Sequence, residues 1–562
     1  MQLEDAITMQ PDYVVVGGGP AGCVLASRLS EDPAIRVLLL EAGGSSDGLK
    51  VRIPAGVGML VGNDRYDWNW DTPPDPTIGG RRFTWSAGKC LGGGSAINGQ
   101  VNIRCLPSDF DLWADVVDQD GAWSAADLQP YFVRCESYHG VEGPSPARGT
   151  SGPQAVSDIP DPHPLAAAFL AAGEALGAPR VDLNGATPEG FGMTQGSQRD
   201  GRRFTAYDGY LRPHVGRPNL AIVTDARVTR IVVEDGRATG VEVRQGTTTR
   251  TVSARREVLV SAGTVATTNL LLKSGIGPAD VLDRAGVATV AERRGVGANL
   301  QEHTGVSISR FIRGHWSLNS TRLPHKGLAA VFEVLARRRG PLASPVVQAM
   351  GYVRTDPSLD RPDLQLHFLP FAYRLKPDSR SALTAEMPLK AAVAMQLTLC
   401  KPQTRGRITI TDADPLSAPT IDHQLLDDER DLRTMVAGCR LLEELFEHPA
   451  FGDAISGRFN PPAPIEDDAG WEAFVRRNCC VAYHQTGTCR MGRADDPDAV
   501  VDADLRVIGV RGLRVVDASV MPVVPSANTY VPTLAVAEKA SDLIRAAAVP
   551  EAPTTAATSV GR

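Results

Sequence analysis

The sequence predicts an α/β fold of at least two domains: a parallel, doubly wound layer and a second domain built on an antiparallel sheet. Three observations predict it. At 562 residues, the chain exceeds the roughly 250–300 residues at which one hydrophobic core stops growing. Near its start, the run Tyr13-Val14-Val15-Val16 leads into a glycine turn, a helical pattern and a second apolar run. In its middle, segments such as Leu364-Gln365-Leu366-His367-Phe368 and Arg407-Ile408-Thr409-Ile410 alternate with the period of a strand.

The first element follows from Tyr13–Val16, an unbroken apolar run suited to a sheet covered on both faces. Gly17, Gly19 and Gly22 then form G-x-G-x-x-G, and the helical pattern after them ends before Asp32-Pro33. The second run, Val37–Leu40, closes on Glu41. This order is that of a Rossmann-like dinucleotide-binding unit. Gly17 permits the tight turn, Gly19 lets backbone approach a pyrophosphate, and Gly22 lets helix and strand pack closely. The free N–H groups of the helix start favour phosphate. Glu41 suits ribose hydroxyls and disfavours a 2′-phosphate, but the motif does not separate NAD from FAD.

Composition narrows the class. The chain is 43% hydrophobic and 22% charged, which is ordinary for a globular protein, with a formal net charge of −7. No Lys/Arg run stands out, so nothing points to nucleic acid or to an anionic membrane surface. No apolar stretch reaches the roughly 18–20 residues that span a bilayer, and Met1–Gln10 lacks the basic and apolar regions of a signal peptide. The nine cysteines are odd in number and show no C-x-x-C pair, so reduced thiols and a cytoplasmic location are expected.

The following motifs carry a resemblance. Gly88, Lys89, Gly92, Gly93, Gly94, Ser95 and Asn98 fall within residues 86–98; Ser261–Pro278 follows, then Val296–His303, then His484–Gly492, then Asp517–Asn528. In this order they resemble the glucose-methanol-choline (GMC) oxidoreductase family over residues 12–544. Thr268 stands where the family usually has proline, and Glu302 where it usually has aspartate. The resemblance implies FAD as cofactor, held by Gly17, Gly19, Gly22, Glu41, Gly93, Ser95, Asn98, Val228, Asp517, Ala518 and Thr529. Some members attach FAD through a histidine just before the asparagine; Ile97 occupies that position, so noncovalent FAD is expected. It also implies a discontinuous cofactor domain (1–155, 215–315 and 470–545) and a substrate domain (156–214 and 316–469). The tail 546–562, rich in Ala, Thr and Pro, is expected to be disordered.

The family resemblance places a catalytic pair at His484 and Asn528. Losing hydride from an alcohol carbon is easier when the hydroxyl proton leaves too. A neutral imidazole, with a pKa of about 6.5, can take that proton. Asn528 cannot titrate in this range, so it would orient the alcohol and bond its developing negative oxygen. Hydride would pass to flavin N5. Tyr483 and Phe368 are candidate pocket walls, and the other nine histidines, His303 and His367 among them, are read as structural. The expected reaction is oxidation of a primary alcohol, aryl or furfuryl in type, to the aldehyde and possibly onward to the acid. Oxygen or a quinone-like carrier would accept the electrons. A choline-like or aliphatic alcohol dehydrogenase and, in another class, a hydroxynitrile lyase are the alternatives. Oligomeric state is left open.

Overall fold

The computed structural model describes residues 3–141, 143, 145–381 and 384–548. Five parallel strands form the first sheet: β1 (Tyr13–Val16), β2 (Val37–Leu40), β3 (Leu220–Val223), β4 (Glu257–Val260) and β5 (Leu513–Val515). They lie side by side in the order β3-β2-β1-β4-β5. Every residue of β1 and β2 is buried, as their unbroken apolar runs require of strands covered on both faces. The order reverses between β2 and β4, on either side of β1. That is where a crevice opens beyond the carboxyl ends of the strands of such a sheet.

Two helices from opposite ends of the chain close one face of this layer. Pro20–Leu29 starts at the glycine turn, with Pro20 in its first position, where a missing N–H costs nothing. Tyr530–Ala548 packs along it. Between them Glu538 is wholly buried and receives Arg28 Nη2 at 2.8 Å and Arg134 Nε at 2.8 Å. The Tyr210 hydroxyl donates to the same carboxylate at 2.9 Å. Residues 546–548 therefore end a packed helix, although the sequence reading assigns them to a disordered tail; residues 549–562 lie outside the described residues.

The second sheet is antiparallel. Its strands are Phe191–Met193, Ala349–Val353, Leu364–Leu369, Ala392–Leu399, Thr304–Ile312 and Ile455–Asn460, with Cys480–Val481 beside Thr304. Alternation divides its residues between two faces. Leu364, Leu366 and Phe368 join Met395, Leu397 and Leu399 in a core shared with the helix Glu429–Glu447. Gln365 and His367 point the other way. Thr304–Ile312 lies in this sheet, so the expected cofactor segment 215–315 takes in one of its strands. The chain crosses between sheets at Gln301–Thr304, and Cys480–Val481 starts the return.

Candidate active site

Where β1 ends, Gly17 adopts φ +100°, and a Cβ there would stand 2.6 Å from the Ser261 carbonyl. A Cβ on Gly22 would lie 1.9 Å from the Gly17 carbonyl, so only glycine lets the helix sit this close to the turn. Gly19 caps the helix without a side-chain bond, leaving its first amides free. A Cβ on Gly19 would meet nothing nearer than 3.9 Å: the turn opens onto space. Gly93, at φ +49°, leans over it, its own Cβ position 2.7 Å from Gly19 Cα.

One cavity of about 340 Å³ runs from this turn to the catalytic candidates. Beside the turn it is lined by Glu41, which accepts Gly18 N; Trp68, Trp70, Val228, Ala518 and Ile97 line it too. At the other end stand Asn98, Tyr483, His484, Asn528 and Thr529. Glu41 is buried and accepts the amides of Gly18 and Gly43, each at 2.7 Å. Burial raises its pKa against those two donors. Asp517 clamps the start of the helix Thr264–Lys273, accepting Gly263 N at 2.9 Å and Thr267 Oγ1 at 2.6 Å. Ser95 turns inward, donating to Gly92 O at 2.6 Å. Asn98 Oδ1 receives Arg203 Nη1 at 2.9 Å.

Arg203 carries no motif signal of its own and is not anticipated from sequence. It is buried beneath the Gly92–Asn98 loop without an acidic partner among the described residues, and burial pulls its pKa down to about 9. Carbonyls of Val51, Ser95 and Asn98 receive its N–H groups.

The catalytic candidates meet at the chain's crossing between sheets. Tyr483 adopts φ +65°, a left-handed conformation that costs a bulky residue energy. Glu302 holds that turn: its carboxylate accepts Ala482 N at 3.1 Å and His484 N at 2.9 Å. Burial pushes Glu302 up to about 8 against these amide donors. His484 Nε2 lies 2.9 Å from Asn528 Nδ2. His484 Nδ1 lies 2.9 Å from Nδ1 of His303, whose Nε2 is 3.3 Å from the Cys400 carbonyl. A carbonyl only accepts, so His303 is protonated at Nε2 and presents a lone pair at Nδ1. His484 therefore carries its proton on Nδ1, and its Nε2 lone pair faces Asn528. Burial, then the neighbouring His303 and His367, hold His484 well below the usual imidazole range.

Two sequence readings are corrected by this geometry. His303 is no remote structural histidine but touches His484. Phe368 is not a pocket wall: it points to the apolar side of the antiparallel sheet, where its ring sits 5.6 Å from His163 and 6.1 Å from Phe169. Thr268, at the position the family usually gives to proline, bonds Thr264 O and Thr488 Oγ1, each at 2.7 Å. It ties the helix Thr264–Lys273 to the turn that follows His484.

The residues fit a flavin dinucleotide. A glycine cradle with free amides lies at one end of the cavity, and the buried Asn528 Oδ1 has no partner at the other. The family profile described as GMC oxidoreductase matches residues 11–305 with its N-terminal part and 402–537 with its C-terminal part. An oxygen-dependent choline dehydrogenase of Sinorhizobium medicae (strain WSM419) is 38% identical over 539 residues, 95% of this chain and 96% of that protein. Pyridoxine 4-oxidase from Mesorbium loti superposes with a TM-score of 0.85 at 31% identity, covering 95% of this chain and 99% of that one. Aspergillus oryzae RIB40 formate oxidase, described for its FAD modification, superposes with a TM-score of 0.87 at 27% identity, over 96% and 98% of the two chains.

Proposed function

The chain belongs to the GMC oxidoreductase family and is an FAD-dependent enzyme acting on alcohols, and from that premise we propose that it oxidises a neutral primary alcohol, aryl or furfuryl in type, to the aldehyde. The observation that carries this reading is the pair of imidazoles joined through their Nδ1 atoms, which leaves His484 Nε2 unprotonated beside Asn528.

In this reading His484 Nε2 takes the hydroxyl proton of the substrate. Asn528 Nδ2 donates to the same oxygen as negative charge grows on it, and it turns from His484 to do so. His303 fixes the tautomer and carries no proton to or from the substrate. Glu302 keeps the imidazole aimed by gripping the backbone on both sides of Tyr483. The glycines at 17, 19, 22 and 93, with Glu41, Val228 and Ala518, would hold the dinucleotide. Ser95, Asn98 and Thr529 would hold the flavin end, and Asp517 would act by fixing the helix start beside it. Bound FAD supplies the acceptor for the two electrons that leave the carbinol carbon. Ile97 offers no atom for a covalent link, so acid precipitation should release the flavin into solution. The reading keeps the two-domain division, with the crossings placed at Thr304 and Val481.

Choline is the second reading, because the curated relatives carry that name. A quaternary ammonium calls for an aromatic or anionic cage. Glu302, beside the pair, is engaged by backbone amides and wholly buried, so a cage for choline would rest on the aromatic walls Trp68, Trp70 and Tyr483 alone.

The test is anaerobic mixing of the holoenzyme with benzylic, furfuryl, aliphatic, choline and sugar alcohols, following the flavin absorbance. Bleaching by benzylic or furfuryl alcohols supports the proposal, and bleaching by choline alone replaces it with the second reading. Silence across the panel rejects both and turns attention to cyanohydrin cleavage. Admitting air then separates oxygen from a quinone-like acceptor.

A further inference from the structure

The helix Pro324–Phe332 continues through a wider turn, Glu333–Arg337. Along it Leu328, Val331, Phe332 and Leu335 stand 73%, 41%, 60% and 41% exposed. Their spacing puts them on one stripe, while Ala330 and Val334 turn into the protein. A contiguous apolar stripe of this kind marks a surface that meets something.

Charge indicates what. The chain as a whole is acidic, with a net charge of −7. Between Arg322 and Gly340, however, Arg322, Lys326, Arg337, Arg338 and Arg339 face a single acid, Glu333. Arg337 occupies that acid at 2.9 Å; Lys326, Arg338 and Arg339 have no ion pair among the described residues. The hairpin Gln198–Arg203 adds exposed Arg199 and Arg202, with one exposed acid, Asp200, between them. It abuts this segment, because a Cβ on Gly201 would lie 2.5 Å from the Arg338 carbonyl. Leucine and phenylalanine along one stripe with cations beside it is the composition of a helix that lies in the headgroup layer of a bilayer. A second copy of the chain packed face to face would bring the two sets of cations together. We propose that this face docks the protein on an anionic lipid surface. The sequence reading, which finds no Lys/Arg run that stands out, passes over Arg337-Arg338-Arg339; the fold sets that run beside the apolar stripe.

The face adjoins the cofactor cleft. Pro341–Ala343, the turn after the helix, packs on Pro54–Met59, whose Val57 lines the cavity. Docking therefore brings one wall of the cleft toward the bilayer.

The test is co-flotation of the full-length holoenzyme with vesicles of phosphatidylcholine alone and of phosphatidylcholine mixed with phosphatidylglycerol. The protein should float with the mixed vesicles only, and less so as salt is raised. Each surface cation contributes about fivefold to such binding, so Lys326→Glu with Arg338→Glu and Arg339→Glu should lower it by well over tenfold. Leu328→Ser with Phe332→Ser should abolish it with all cations in place. Alcohol-driven flavin bleaching should be unchanged in both variants, since none of these side chains reaches the cavity. Equal binding to both vesicle types, or variants that bind like the parent, would overturn the proposal. So would a dimer in light scattering that Leu328→Ser with Phe332→Ser converts to monomer, which would assign the face to a second copy.

Discussion

Cys400 contributes only a carbonyl to the site, yet that carbonyl decides which nitrogen of His484 is basic. The order runs Cys400 O, His303 Nε2–H, His303 Nδ1, His484 Nδ1–H, His484 Nε2, each group leaving one choice to the next. His303→Phe removes the acceptor and frees His484 to place its proton on Nε2. Flavin reduction by alcohol should then slow about tenfold to a hundredfold. His303→Gln, whose carbonyl can accept from Nδ1–H, should recover most of the rate; equal loss in both variants would reduce His303 to a space-filler. Because burial depresses the folded pKa of His484, the base stays unprotonated as pH falls through the free imidazole value. The reduction rate should therefore hold level across about pH 6.5, and an acid limb centred there would contradict the assignment. None of this was legible in sequence. His303 has the same residue type as His315 or His448, and only the crossing between sheets brings it to His484.

At the scale of elements, the glycine turn was legible because its chemistry is local. Strand, turn and helix lie within the first 29 residues, and backbone contact dictates which positions lack a side chain. Gly22→Ala would press a methyl group into the Gly17 carbonyl. Since backbone stands on both sides, the cost should be about 3 kcal/mol or more. The expected result is a lower flavin-to-protein absorbance ratio and an earlier thermal transition; a fully loaded, equally stable variant would show that the turn has slack not visible here. The antiparallel sheet shows the opposite case. Its period of two says that Gln365 and His367 share one face and Phe368 the other, and this much can be read from residues 364–368. Which face looks toward the catalytic pair depends on the helix Glu429–Glu447 covering the apolar side. No local pattern carries that, so Phe368 was assigned to the wrong side.

For the whole molecule, the family motifs announced in order what the fold assembles, and the long-range clamps were silent. Glu538 shows why. It stands in the closing stretch that resembles the family, yet nothing local says that it binds Arg28 across 510 residues of chain, and Arg134 and Tyr210 besides. Glu538→Ala leaves two guanidinium groups and a hydroxyl facing one another. Because both arginines keep some access to water, the loss should be about 2–3 kcal/mol rather than the full cost of breaking a buried pair. Calorimetry should show a lower transition temperature while alcohol specificity is unchanged. A shift in which alcohols bleach the flavin would mean that the clamp reaches the substrate pocket as well.

The parallel sheet has a consequence for how the protein is made. The dinucleotide turn emerges from the ribosome long before β5 and the helix that packs on Pro20–Leu29. Between the two, a nascent chain carries an exposed glycine cradle with no partner strand beyond β4. The yellow colour of the flavin would report that this helix has joined the sheet: chains arrested before residue 530 should stay colourless.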